Sequence, residues 1–285
     1  MRLGSVHGKK SASNQTAEDA AMPDFAAASR RPVALITGAA SGIGAALTQR
    51  LAAQAEGLIL IDRDEAGLRA LADSLATPPD RVSLFAFDVA DVDAWGRTRE
   101  LITGLYGRVD LACVSAGVSA AAAIPDQSFA GWRAVMSANL DGAFLTLQTA
   151  MALMRLQPGG GSIVVVSSVA GEKAEPGIAA YAASKAGVDQ LARVAAKEGA
   201  ADQIRVNVIA PGGVRTPLWR SMDFFNALIE ERGSEAAAFA ALAEVGTPLG
   251  RYAEADEIAA LIEMLLLQSA PMTGARLVVD GGYRL

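Results

Sequence analysis

The sequence predicts an α/β fold: a doubly wound parallel sheet of about seven strands, with helices on both faces. Three observations predict it. Short β-branched apolar runs alternate with helical patterns six times and end in a further run, as buried parallel strands and their crossover helices do. The first run opens into a glycine-rich turn and then a helix. Carboxylates stand at the C-terminal ends of the second and third runs, on the edge where open parallel sheets bind ligands.

The first strand is Pro32 to Thr37, and Gly38-Ala39-Ala40-Ser41-Gly42-Ile43-Gly44 follows it. Glycines let backbone approach a pyrophosphate, and a helix start offers free N–H groups and a favourable dipole. The spacing is GxxxGxG. The second strand, Gly57 to Ile61, ends at Asp62, where a carboxylate accepts from both hydroxyls of a ribose and repels a 2′-phosphate. This favours NAD over NADP, while Arg63 next to it offers a cation to that phosphate. Taken alone, Asp62 also suits the cap of a helix starting near Asp64. The third strand, Arg81 to Phe87, ends in Asp88-Val89, which places Asp88 to meet an adenine amino group; Asp91 is the better cap for the next helix. The fourth strand is Val109 to Val114, and the small residues of Ser115-Ala116-Gly117 let backbone lie against a cofactor.

Ser162 to Ser167 reads as the next buried strand, and Ala186 to Ala196 as a helix. Tyr181 and Lys185 stand four apart, so on a helix they share one face. An ammonium beside a phenol favours the phenolate and lowers the tyrosine pKa, which makes it a usable acid/base near neutrality. A serine at the end of the preceding strand, Ser167 or Ser168, is placed to hold the reacting oxygen. A strand over Ile204 to Ala210 leads into Pro211-Gly212-Gly213-Val214-Arg215-Thr216. Trp219, Met222, Phe224, Phe225, Leu228 and Ile229 fit either a helical lid over an apolar pocket or ordinary helix packing. An alanine-rich helix over Glu235 to Val245, an amphipathic helix over Glu254 to Gln268 and an edge strand over Ala275 to Val279 complete the chain.

Composition excludes several classes. The chain of 285 residues is 52% hydrophobic and 5% aromatic, so its core is aliphatic and large enough to need no staples. A net charge of −6 without basic blocks argues against nucleic acid or an anionic membrane as partner. One histidine (His7) and one cysteine (Cys113) leave no zinc site, no disulfide and no Ser-His-Asp triad; Cys113 reads as a buried core residue. No apolar run is long enough to span a membrane. Residues 1–31 read as a disordered tail with no secretory signal, with Met22 a candidate start, and residues 32–285 as one catalytic domain.

In this order, Thr37 to Gly44, Asp62, Asp88-Val89, Ala116-Gly117, Asn139, Ser168, Tyr181/Lys185, Pro211 to Pro217 and Val278-Val279-Asp280-Gly281-Gly282 resemble the short-chain dehydrogenase/reductase family, over residues 32 to 285. The resemblance implies a one-domain Rossmann fold and an NAD(H)-dependent interconversion of a secondary alcohol and a ketone. It implies Tyr181 as general acid/base, Lys185 as the residue that lowers its pKa and bonds the nicotinamide ribose, and Ser168 as the holder of the substrate oxygen. Asn139, mid-helix, would hold a water that relays protons to Lys185. Val214 backbone and the Thr216 hydroxyl would bind the carboxamide. The family spacing to Tyr181 favours Ser168 over Ser167. One departure is Ser115, where the family has an asparagine that braces neighbouring strands, which puts that bracing in doubt. An NADPH-dependent 3-oxoacyl-acyl-carrier-protein reductase shares all four catalytic positions, but Asp62 and the lack of a cation at Ser41 count against it. A nucleotide-sensing protein on the same fold would be expected to lose Tyr or Lys. The resemblance also implies a homodimer or homotetramer, and the sequence points to the cytoplasm. The substrate is not legible; Glu172, Lys173 and Glu175 read as surface residues.

Overall fold

The computed structural model describes residues 30–268 and 271–285. The expected tail thus lies outside the described residues up to residue 29. Of its last two residues, Arg30 bonds Asp110 Oδ1 at 3.3 Å and belongs to the fold.

The strands are β1 (Val33–Thr37), β2 (Gly57–Asp62), β3 (Val82–Ala86), β4 (Leu111–Val114), β5 (Gly161–Val166), β6 (Ile204–Pro211), the two-residue β7 (Val214–Arg215) and β8 (Ala253–Glu254), and β9 (Arg276–Val279). The helices are α1 (Gly42–Leu51), α2 (Glu65–Ser74), α3 (Val92–Leu105), α4 (Phe129–Met136), α5 (Gly142–Met154), α6 (Ala179–Gly199), α7 (Asp223–Arg232), α8 (Glu235–Gly246) and α9 (Ala255–Leu267). Seven strands form one parallel sheet in the order β3-β2-β1-β4-β5-β6-β9, and β7 pairs with β8 apart from it. The order reverses between β1 and β4, which opens a crevice at their C-terminal ends.

Both faces of the sheet are covered, which is why its strands read as continuous apolar runs. In β1, Val33 and Leu35 face a core shared with Trp95 of α3, Leu147 of α5 and Val188 of α6. Ala34 and Ile36 face the opposite core with Leu47 of α1, Leu68 of α2 and Ile262 of α9. Each fully buried aliphatic side chain of this kind contributes about 1.5–3 kcal/mol by leaving water. Cys113 is buried in the second of these cores, with its thiol pushed up to about 12 by burial.

Local signals set the helix starts. Asp64 caps α2 by accepting from Gly67 N, and Asp91 caps α3 by accepting from Ala94 N. Between α4 and α5 the chain makes one π-helical turn over Ser137–Asp141. The expected mid-helix position of Asn139 is therefore a π turn, a wider coil that often sits at functional sites.

Candidate active site

A cleft of about 590 Å³ lies over the crevice. The turn between β1 and α1 forms part of its wall. Gly38 has φ +66°, and a Cβ there would lie 2.8 Å from Ala116 Cα; a Cβ on Gly44 would lie 2.2 Å from the Gly38 oxygen. Only glycine permits these approaches. They bring Ser41, Gly42, Ile43 and Gly44 onto the cleft at the N-terminus of α1, whose first N–H groups have no partner within the helix. That is an anion cradle, and it fits a dinucleotide pyrophosphate.

Asp62 also lines the cleft, with Arg63 on the same rim. Its carboxylate accepts from Ala40 N and from Asp64 N, both at 3.0 Å. So Asp62 is not the cap of α2; Asp64 is. Asp88, Val89, Ala116 and Gly117 line the cleft as well, and Asp88 turns its own loop by accepting from Ala90 N at 2.9 Å. The doubt over bracing at Ser115 is removed. Ser115 Oγ donates to the Thr37 carbonyl, and Ser115 N donates to Thr37 Oγ1 at 3.2 Å, so the serine ties β4 to β1.

Ser168, Tyr181 and Lys185 meet at the middle of the cleft, with Pro211, Gly212, Val214 and Thr216 along one side. Ser168 Oγ accepts from Ala170 N at 3.1 Å, while the rival Ser167 turns its hydroxyl to the Lys185 carbonyl at 3.3 Å and is held there. Lys185 is buried, its Nζ donates to the Val166 carbonyl at 3.0 Å and stands 5.7 Å from the centre of the Tyr181 ring. Asn139 is buried. Its amide bonds Val118 twice, donating at 3.0 Å and accepting at 2.7 Å, and donates to Ser184 Oγ at 2.9 Å. Ser184 in turn donates to the Tyr181 carbonyl at 2.7 Å.

One electrostatic expectation is corrected. Burial pushes the Tyr181 phenol up, and the influence that lowers it is a hydrogen bond with Ser168 rather than the Lys185 charge. Lys185 is pushed down to about 8, chiefly by burial, against the opposing pull of Asp189. Both shifts have the same cause: a desolvated site disfavours charge on either residue.

The open end was only half legible. Trp219, Met222 and Phe224 line the cleft, while Phe225, Leu228 and Ile229 pack inward with Phe239. Lys173 and Glu175, read as surface residues, also line it, as do Tyr252 and Tyr283. Glu172 does face outward, paired with Arg276 and Arg284 at 2.8 Å. A signal for the missed aromatics exists: the chain has four tyrosines, and Tyr181, Tyr252 and Tyr283 all line the cleft.

Among the described residues, no group of His, Cys, Asp and Glu is placed to hold a metal, and no helix is long and apolar enough to cross a membrane. The fold and the cleft together define the class, an oxidoreductase on a dinucleotide fold. The short chain dehydrogenase profile matches residues 32–224. The chain is 36% identical over 251 residues to a 3-oxoacyl-acyl-carrier-protein reductase of Thermotoga maritima, covering 88% of this chain and 96% of that one. It is 37% identical over 254 residues to a D-threitol dehydrogenase of Mycolicibacterium smegmatis, covering 89% and 93%. The crystal structure of L-sorbose reductase from Gluconobacter frateurii, complexed with NADPH and L-sorbose, superposes with a TM-score of 0.80 at 25% identity, over 89% of this chain and 96% of that one. The chain belongs to the short-chain dehydrogenase/reductase family.

Proposed function

We propose that this protein is an NAD(H)-dependent oxidoreductase that interconverts a secondary alcohol and a ketone, as one catalytic domain over residues 32–285. The observation that carries this reading is the meeting of Ser168, Tyr181 and Lys185 in a cleft that opens onto the N-terminus of α1. A nicotinamide dinucleotide, when bound, supplies the carbon that gives or takes the hydride. The chain supplies everything else. Gly38, Ser41, Gly42, Ile43 and Gly44 cradle the pyrophosphate, and Asp62 accepts from the adenosine ribose. Asp88 meets the adenine amino group, and Val89, Ala116 and Gly117 lie against the cofactor. Val214 backbone and Thr216 hold the carboxamide, on the turn set by Pro211 and Gly212.

At the reacting end, Ser168 Oγ orients the substrate oxygen. Tyr181 Oη gives that oxygen a proton in reduction and removes it in oxidation. Lys185 bonds the nicotinamide ribose, and Asn139 holds the water that relays the proton onward. The preference for NAD rests on Asp62 and on the absence of a cation at Ser41. A second reading, an NADPH-dependent 3-oxoacyl-acyl-carrier-protein reductase, is favoured by Arg63 on the cleft rim and by the name of the Thermotoga relative; the sorbose reductase bound to NADPH also supports it on the cofactor. We propose further that the protein acts in the cytoplasm as a homodimer or homotetramer.

Fluorescence titration with NADH and, separately, NADPH tests the cofactor. Tighter NADH binding is expected; tighter NADPH binding would move the reading to the biosynthetic reductase. Tyr181→Phe is expected to lower kcat by about 10²–10⁴ while NADH still binds. Retained turnover would remove Tyr181 as the acid/base.

A further inference from the structure

We infer that Lys173, Glu175 and Tyr283 form a specificity-determining clamp for an uncharged hydroxyl or carbonyl group on the substrate, remote from its reacting carbon. This rests on the oxidoreductase reading above. Lys173 and Glu175 lie between the two catalytic residues in the chain, after Ser168 on the turn following β5 and before Tyr181 on α6, and Tyr283 comes to them from beyond β9. All three residues line the same cleft as Ser168 and Tyr181.

The three side chains are bound to one another. Lys173 Nζ pairs with Glu175 Oε1 at 2.8 Å, and Tyr283 Oη donates to the same oxygen at 2.7 Å. Lys173 Nζ also stands 3.4 Å over the Tyr283 ring. The neighbouring Glu172 side chain ties this loop to the C-terminal segment by bonding both Arg276 and Arg284 at 2.8 Å. The clamp is therefore formed before substrate arrives.

Its charges decide what it accepts. Lys173 and Glu175 raise and lower one another's pKa so that both stay charged at neutral pH, and together they cancel. An ammonium keeps spare donors and a carboxylate spare lone pairs after forming one pair. A hydroxyl can donate to Glu175 and accept from Lys173 at once, without breaking the pair. A carboxylate would have to take Lys173 from Glu175 and leave a like charge facing it, which costs affinity. The same cleft is lined by the apolar side chains of Trp219, Met222 and Phe224. The substrate class that matches is an apolar ring or chain with a neutral polar group at its far end. Both charged side chains are about one-third exposed, and substrate that displaces water from them strengthens every hydrogen bond made there.

The test uses the full-length protein and a matched ring series: cyclohexanol, its para-hydroxyl analogue and its para-carboxylate analogue. kcat/KM for oxidation is measured with NAD and with NADP. The hydroxyl analogue, corrected for its equivalent hydroxyls, is expected to exceed cyclohexanol by about tenfold or more, with the carboxylate analogue lowest. Tyr283→Phe keeps the ring under Lys173 and removes one oxygen; it should lower the hydroxyl-to-cyclohexanol ratio. Glu175→Gln should lower that ratio too and also raise the carboxylate analogue about tenfold, because Lys173 is left as a free cation; a merely structural role for Glu175 would not produce that gain. Equal turnover of cyclohexanol and its hydroxyl analogue, a wild-type preference for the carboxylate, or unchanged ratios in both variants would overturn the clamp alone. No oxidation of any compound with either dinucleotide would overturn the oxidoreductase reading, and the clamp with it.

Discussion

Lys185 shows what burial does at the scale of one residue. Its pKa falls from an ordinary 10.5 to about 8, so between those values the unfolded chain holds a proton that the folded protein has lost. Stability contributed through this residue therefore rises with pH across that window, and below it the buried charge is a cost. Lys185→Met is expected to abolish turnover and, at pH 7, to stabilise the cofactor-free protein by on the order of 1–3 kcal/mol. Thermal melts of both proteins check this; a lower Tm for the variant would show that the bond to Val166 outweighs the desolvation. The Tyr181/Lys185 pair was legible in the sequence because four residues on a helix make neighbours. The sign of the electrostatics was not, because spacing carries no information about solvent. For the same reason Lys173 and Glu175 read as surface residues: their polarity says nothing about which loop folds over the cleft.

At the scale of elements, the helices after β7 split their apolar residues between two jobs. Phe225 is fully buried, with its ring 4.7 Å from that of Phe239, while Trp219 reaches both the cleft and that cluster. Phe225→Ala leaves a void costing about 3–5 kcal/mol of local packing. Since Phe225 packs against Trp219 and Phe239 and not against the nucleotide end, substrate KM should rise several-fold with the NADH Kd little changed. A parallel loss of NADH affinity would show that α7 and the nucleotide cradle are coupled. Periodicity cannot separate the two faces of so short an aromatic segment, so its apolar helical character was legible and the division between cleft lining and packing was not. The π turn at Asn139 was hidden likewise: an asparagine inside an apolar helical pattern marks an irregularity without giving its form.

Across the whole molecule, the seven strands were legible because a sheet covered on both faces needs unbroken apolar runs. The strand order was not in the periodicity; the register shows it. What the isolated chain leaves uncovered is also informative. Phe129 on α4 and Phe144 on α5 are 76% and 48% exposed, on the helices flanking Asn139. Light scattering is expected to give a mass of two or four chains, and Phe144→Asp to lower it. A monomeric wild type would remove this face as an interface.

Asp62 carries a consequence for redesign. Its carboxylate receives the Ala40 N–H, so it fastens the glycine-rich turn as well as lining the cleft. Engineers who replace it with an apolar residue to recruit NADP would loosen the turn for both dinucleotides and trade selectivity for a general loss of affinity. An exchange that keeps an acceptor oxygen at this position, such as Asp62→Asn, paired with a cation introduced at Ser41, separates the two roles.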